Sequence, residues 1–179
     1  MPTQPPPPPL RNIELKARCR DLPAARAAAL SLSPIRDTGV QHQIDTYFPV
    51  PHGRLKLREI VGVRAELIWY DRSNQAVSRK SDYRLTPITY PAELKASLEA
   101  SLGFRGQVEK HRHVLLWHNV RIHLDEVTGL GSFVEFEAVM SPGEDEATGH
   151  SRLKQLCEVM KIPPADYLDK SYADLAGLD

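Results

Sequence analysis

The chain has 179 residues, 41% hydrophobic and 26% charged, with 23 Lys plus Arg set against 23 Asp plus Glu. That length suits one domain with a substantial core and is short for two, and the neutral balance argues against general binding to nucleic acid or to an anionic membrane. No apolar run approaches the roughly 18 residues of a membrane-spanning helix, no signal peptide is evident, and Cys19 and Cys157 make neither a metal-type spacing nor a disulfide framework, so a cytoplasmic protein with free thiols is the expectation.

Residues 1–10 are expected to form a disordered or extended tail, because the run Pro5 to Pro9 favours polyproline II and cannot join a sheet ladder. Residues 11–179 are expected to form the single domain. Arg11 to Arg18 alternates strictly, with Asn12, Glu14, Lys16 and Arg18 on one parity and Ile13, Leu15 and Ala17 on the other, the pattern of a strand with one packed face. Asp21 can cap a short helix with Pro23 in its first turn, running to about Leu32, and Ser33-Pro34 ends it.

Gln41 to Pro49 reads as a strand with Ile44, Thr46 and Phe48 on one side and Asp45 and Tyr47 on the other. His52-Gly53 signals a turn into Arg54 to Ile60, where Arg54, Lys56 and Arg58 share a face. Arg64 to Asp71 is a fourth strand, Arg72 to Gln75 a turn, and Ser78 to Thr86 a fifth strand with Lys80, Asp82 and Arg84 in phase. Pro91 opens a helix whose Leu94, Leu98 and Leu102 recur at near-helical spacing before Gly103. Strands follow at Gln107 to Trp117, Val120 to Glu126 and Ser132 to Met140, and a last amphipathic helix spans about Gly149 to Lys161. The pattern indicates an α+β domain dominated by antiparallel sheet. Because face after face is charged, closing that sheet into a barrel would place the charges inside.

On the charged parity, the bases are Lys16, Arg18, Arg54, Lys56, Arg58, Lys80, Arg84, Lys110, Arg112 and Arg121; the acids are Glu14, Asp125, Glu135 and Glu137. Three bases at successive i, i+2 positions repel unless water screens them or an anion sits among them. Glu135 and Glu137 share a strand face and, beside so many bases, fit either ordinary salt bridges or a Mg²⁺ or Mn²⁺ site that also meets phosphate. His111 and His113 fall on the opposite parity, where zinc would lack further ligands. Neither a phosphate-cradling glycine loop nor a nucleophile motif is present.

Asn12-Ile13-Glu14-Leu15-Lys16 resembles the Glu-x-Glu-x-Lys signature of the CYTH superfamily of triphosphate tunnel metalloenzymes. The resemblance continues in Leu55 to Arg58, Lys80 to Tyr83, Val108 to Arg112 and Lys170 to Leu175. It is strongest from Arg121 to Gly131 and from Phe133 to Glu137. It implies an eight-stranded antiparallel β-barrel forming a tunnel with a charged interior and helices outside. Lys16, Lys56, Arg58, Lys80, Arg84, Lys110, Arg112 and Arg121 would meet phosphate. Glu14, Glu135 and Glu137 would hold Mg²⁺ or Mn²⁺, with Asp125 a ligand or its partner, and Lys16, Glu14 and Glu137 would act in catalysis. The first acid of the signature is Asn12 here, which brings a coordinating oxygen but no charge and puts a second metal in question. The implied substrate is a small-molecule triphosphate such as tripolyphosphate, ATP or thiamine triphosphate, with no nucleic-acid or membrane partner and a homodimer left open. Hydrolysis is favoured over cyclisation of ATP, since no residues specify an adenine pocket. A non-catalytic polyphosphate binder and a structural barrel with a salt-bridged lumen are the remaining alternatives.

Overall fold

Alternating side chains on twisted strands cannot satisfy two environments unless each face has its own, and this chain solves that by closing its sheet. The structure is a computed structural model that describes residues 7–72 and 77–178, with only the backbone of Arg72. Its strands are β1 (Leu10–Arg18), β2 (Ile35–Phe48), β3 (Arg54–Ile60), β4 (Arg64–Arg72), β5 (Arg79–Ile88), β6 (Gly106–Trp117), β7 (Val120–Val127) and β8 (Gly131–Met140). They form a closed antiparallel barrel in the order β1-β5-β4-β3-β2-β6-β7-β8. The eight-stranded α+β barrel expected from the sequence is therefore present. The expected tail lies largely outside the described residues, as do residues 73–75 of the expected turn.

The outward parity of β1, β7 and β8 builds the main core. Ile13, Leu15, Ala17, Val120, Ile122, Leu124, Val134, Phe136 and Ala138 are all buried there. Two helices cover them: α1 (Leu22–Leu30), capped by Asp21 accepting from Ala24 N at 2.9 Å, and α3 (Glu146–Val159), capped by Asp145 accepting from Ala147 N at 3.0 Å. The Asp145 cap starts α3 three residues earlier than the apolar stripe alone suggests. Leu153 and Leu156 on α3 are fully buried, each worth about 1.5–3 kcal/mol of transfer free energy. Gly149 permits the close approach of α3 to β1, since a Cβ there would lie 3.0 Å from Ile13 Cγ1 and 3.1 Å from Met140 Sδ.

On the opposite side, α2 (Pro91–Leu102) lays Leu94 and Leu98 on Phe48, Leu57 and Ala65, while Leu102 stays largely exposed. β2 begins at Ile35 rather than Gln41 because a bulge between Asp37 and Val40, carrying Gly39 at φ 84°, lets the strand continue through a residue that reads as a break. A short α4 (Tyr172–Leu175), held by a Ser171/Asp174 capping box, packs Tyr172 and Ala173 against Tyr47, Val108, Val127 and Phe133. Cys19 and Cys157 are buried free thiols. Among the described residues no helix is long and apolar enough to cross a membrane.

Candidate functional site

The inward parity of β1, β8 and β7 makes an acidic wall, and strand register arranges it in rows. Glu14 stands opposite Glu137, which stands opposite Arg121; Lys16 stands opposite Glu135, which stands opposite His123. Lys16 Nζ is 2.9 Å from Glu135 Oε1 and lies 3.6 Å from the centre of the Tyr172 ring. Arg112 Nη2 donates to Glu135 Oε2 at 2.7 Å, and Arg121 Nε lies 3.1 Å from Glu137 Oε2. Arg79 Nε donates to Glu14 Oε1 at 3.2 Å. Burial opposes ionisation of Glu135, but the charges of Lys16 and Arg112 outweigh it and hold the carboxyl well below its ordinary range. Burial, reinforced by Arg112, pushes the His123 imidazole down, so it is neutral at pH 7.

One nitrogen of His123 and one oxygen each of Glu135 and Glu137 lie within 4.8 Å of one another, close enough to surround a single ion. The donor set fits a divalent cation: two ionised carboxylates for charge and a neutral ring nitrogen.

The facing wall is basic and comes from β2, β3 and β6. Asp45, fully buried, is its hub. Lys56 Nζ at 3.0 Å, Lys110 Nζ at 2.7 Å, and Arg58 through Nε at 2.7 Å and Nη2 at 2.9 Å all donate to its carboxylate. Three cations share one carboxylate, so the wall keeps a net positive charge. Burial lowers Lys110 to about 7 despite the attraction of Asp45, and burial together with the Arg58 charge lowers Lys56 to about 8.

Between the walls lies a cavity of about 120 Å³. Of the residues predicted from sequence, Glu14, Lys16, Lys56, Arg58, Arg112, Arg121, Glu135 and Glu137 line it, joined by Asn12. Lys110, at 0% exposure, supports the basic wall from behind. Asp125 is fully buried and spoken for: Arg112 Nε and Nη2 donate to it at 2.7 and 2.6 Å, and Tyr172 Oη donates at 2.6 Å. It orients Arg112 and is not an open ligand. Arg54, from the same basic run, is drawn out of the cavity by Asp174 of α4, 3.0 Å from its Nη2.

Two residues placed in the tunnel by sequence are outside it. Lys80 is exposed and bonds Glu146 of α3 at 2.7 Å, and Arg84 is exposed and donates to Pro7 O at 2.6 Å. The inward parity of β5 is instead Arg79, Ser81 and Tyr83, with Arg79 opposite Glu14 and Ser81 opposite Asn12 in the β1 register. Both faces of β5 are polar, so alternation alone selects neither.

Asn12 is turned toward the cavity but engaged. In the amide orientation that satisfies its neighbours it accepts from Arg121 Nη2 at 3.0 Å and donates to Arg11 O at 3.1 Å. Sequence reasoning passed over four residues of the site: Asp45, Arg79, His123 and Tyr172. Of these, His123 carried a usable signal, lying on the parity of Arg121 and Asp125, which were already identified as inward.

The CYTH domain family model matches residues 10–172. Among solved structures, the chain is similar to the PH1012 protein from Pyrococcus horikoshii OT3 at TM-score 0.81 and 19% identity, covering 92% of this chain and 98% of that one. It is similar to a candidate adenylate cyclase from Vibrio parahaemolyticus at TM-score 0.75 and 22% identity, covering 96% and 99%. The Pct1 RNA triphosphatase of S. pombe shares the fold at TM-score 0.54 and 11% identity, over 87% and 85%. No curated protein matches the sequence. At these identities the structures speak for the fold alone, while the family model spans nearly the whole chain: the protein belongs to the CYTH domain family.

Proposed function

We propose that the protein is a divalent-metal-dependent hydrolase that cleaves a phosphoanhydride bond of a triphosphate held in the barrel. One observation carries the reading: a wall of carboxylates faces a wall of cations across a cavity inside a closed barrel. Members of this family act on triphosphates and generally depend on divalent metal. Lys56, Arg58, Arg112 and Arg121 bind the phosphate oxygens, and Lys110 adds charge from behind. Glu135 and Glu137, with Glu14, would hold Mg²⁺ or Mn²⁺, which when bound neutralises phosphate charge and stabilises the leaving oxygen.

Lys16, fixed between Glu135 and the Tyr172 ring, positions the attacking water or a phosphate oxygen. Glu14 and Glu137 stand ready to take the proton of that water as it adds to the terminal phosphorus.

The second reading is cyclisation of ATP, in which a ribose hydroxyl replaces water. The motivating feature is the part of the lining formed by Ile68, Tyr70, Tyr83 and Leu85, which offers an organic group an apolar and aromatic surface. Assay of purified protein with Mg²⁺ or Mn²⁺ against tripolyphosphate, ATP and thiamine triphosphate separates these. Phosphate release from one of them is the expected result. Cyclic AMP as the main product from ATP would establish the second reading, and tight binding without turnover at either metal would make the protein a binder.

The two depressed lysines add a pH signature. Both are lowered from the lysine reference of 10.5, so between about pH 7 and 10 the unfolded chain holds more protons and their contribution to stability rises with pH. Ligand binding runs the other way. A bound polyanion favours the charged amines, so affinity for tripolyphosphate falls as pH rises from 6.5 to 9. Binding at pH 8 takes up protons, which calorimetry in buffers of different ionisation enthalpy detects. A buffer-independent enthalpy at pH 8 would refute the assignment.

A further inference from the structure

We infer that His123 supplies a nitrogen ligand to the cation held by Glu135 and Glu137, which selects Mn²⁺ and similar borderline ions over Mg²⁺. The inference rests on the metal site of the proposed function and adds to it a residue and a metal preference.

His123 sits on the inward parity of β7, between Arg121 and Asp125, directly opposite Glu135. It is 5% exposed, and its Nδ1 has no hydrogen-bond partner. A buried ring nitrogen without a partner is uncommon and marks a place where a ligand or ion is expected. Nδ1 lies 3.8 Å from Glu135 Oε2 and 3.9 Å from Glu137 Oε1. These separations are too long for hydrogen bonds. They are the separations of atoms that share one cation, since ligands about 2.1 Å from an ion stand about 3–4.2 Å apart.

The surroundings strengthen the choice of nitrogen. Asn12, on the same face of β1 as Glu14, has its amide oxygen on Arg121. Asp125, one more acid on the same strand, is saturated by Arg112 and Tyr172. Within the cluster of His123, Glu135 and Glu137, the imidazole Nδ1 is the buried donor atom without a hydrogen-bond partner among the described residues. Imidazole suits first-row transition ions, whereas Mg²⁺ prefers oxygen and keeps its water.

Pulsed electron paramagnetic resonance of the Mn²⁺-loaded full chain is the direct test, because it reads ligand nuclei rather than turnover. The expected spectrum shows nitrogen-14 modulation that disappears when the protein carries nitrogen-15 histidine, which separates a histidine from the nearby lysine and arginines. Calorimetric titration adds a second readout. His123→Leu is expected to weaken Mn²⁺ about ten-fold or more relative to Mg²⁺. Bound Mn²⁺ without histidine nitrogen modulation would overturn the inference and leave the carboxylate site standing. Failure of the unaltered chain to bind Mn²⁺ or Mg²⁺ at all would instead overturn the metal site itself, and the inference with it. The labelled spectrum needs no substitution, so a His123 variant that fails to fold does not block the test.

Discussion

Replacing Glu137 by alanine is expected to lower metal-dependent turnover by a factor on the order of 10²–10³ while the barrel stays folded. The two carboxylates of β8 differ in what their loss leaves behind. Glu135 is bonded to Lys16 and Arg112, whose side chains are only 4% exposed, so Glu135→Ala strands buried cations and confuses function with stability. Glu137 meets Arg121, whose side chain is 34% exposed and can turn to water. Steady-state rates with Mn²⁺, set beside far-ultraviolet dichroism and a thermal melt, separate the two effects. Full activity in both Glu137→Ala and Glu135→Ala would remove the metal assignment.

The largest expected loss of stability comes from Asp45. It is the shared partner of Lys56, Arg58 and Lys110, and it is held well below the ordinary carboxylate range: burial opposes its ionisation, but Arg58, Lys110 and Lys56 together outweigh it. Asp45→Ala leaves three cations clustered without an anion, and breaking such a buried set costs about 3–5 kcal/mol. For a chain of this size that is a fall in melting temperature on the order of 10 °C. Tripolyphosphate should restore more stability to the variant than to the unaltered protein, since it supplies the missing negative charge. A melt unchanged by the substitution would show that Asp45 does not hold this wall together.

The fold was legible where a strand has one greasy face and one charged face. β1, β7 and β8 meet that condition, and their inward residues were correctly separated by parity: Glu14 and Lys16, Arg121 and Asp125, Glu135 and Glu137 all point away from the outer core. β5 lacks a greasy face. Its outer residues Lys80, Asp82 and Arg84 find partners in Glu146, Arg11 and Pro7, so a solvated face looked like a lumen. Asp45 was assigned its side of β2 but not its importance, because one acid between Gln43 and Tyr47 gives no hint that three bases on two other strands converge on it. Register across strands, which periodicity does not encode, makes that hub. The same holds for Tyr172, whose hydroxyl reaches Asp125 across 47 positions of sequence.

The placement of β1 constrains the order in which the molecule can be assembled. β1 is flanked by β5 on one side and β8 on the other. A chain emerging from the ribosome can pair β1 with β5 early, but β1 and β7 both keep open edges until β8 is made. Those edges would bracket an unfinished sheet whose charged face has nothing yet to enclose. The acidic wall needs β8 as well as β1, and Tyr172, over Lys16, comes later still. β8, which seals the sheet, also completes the pair of walls.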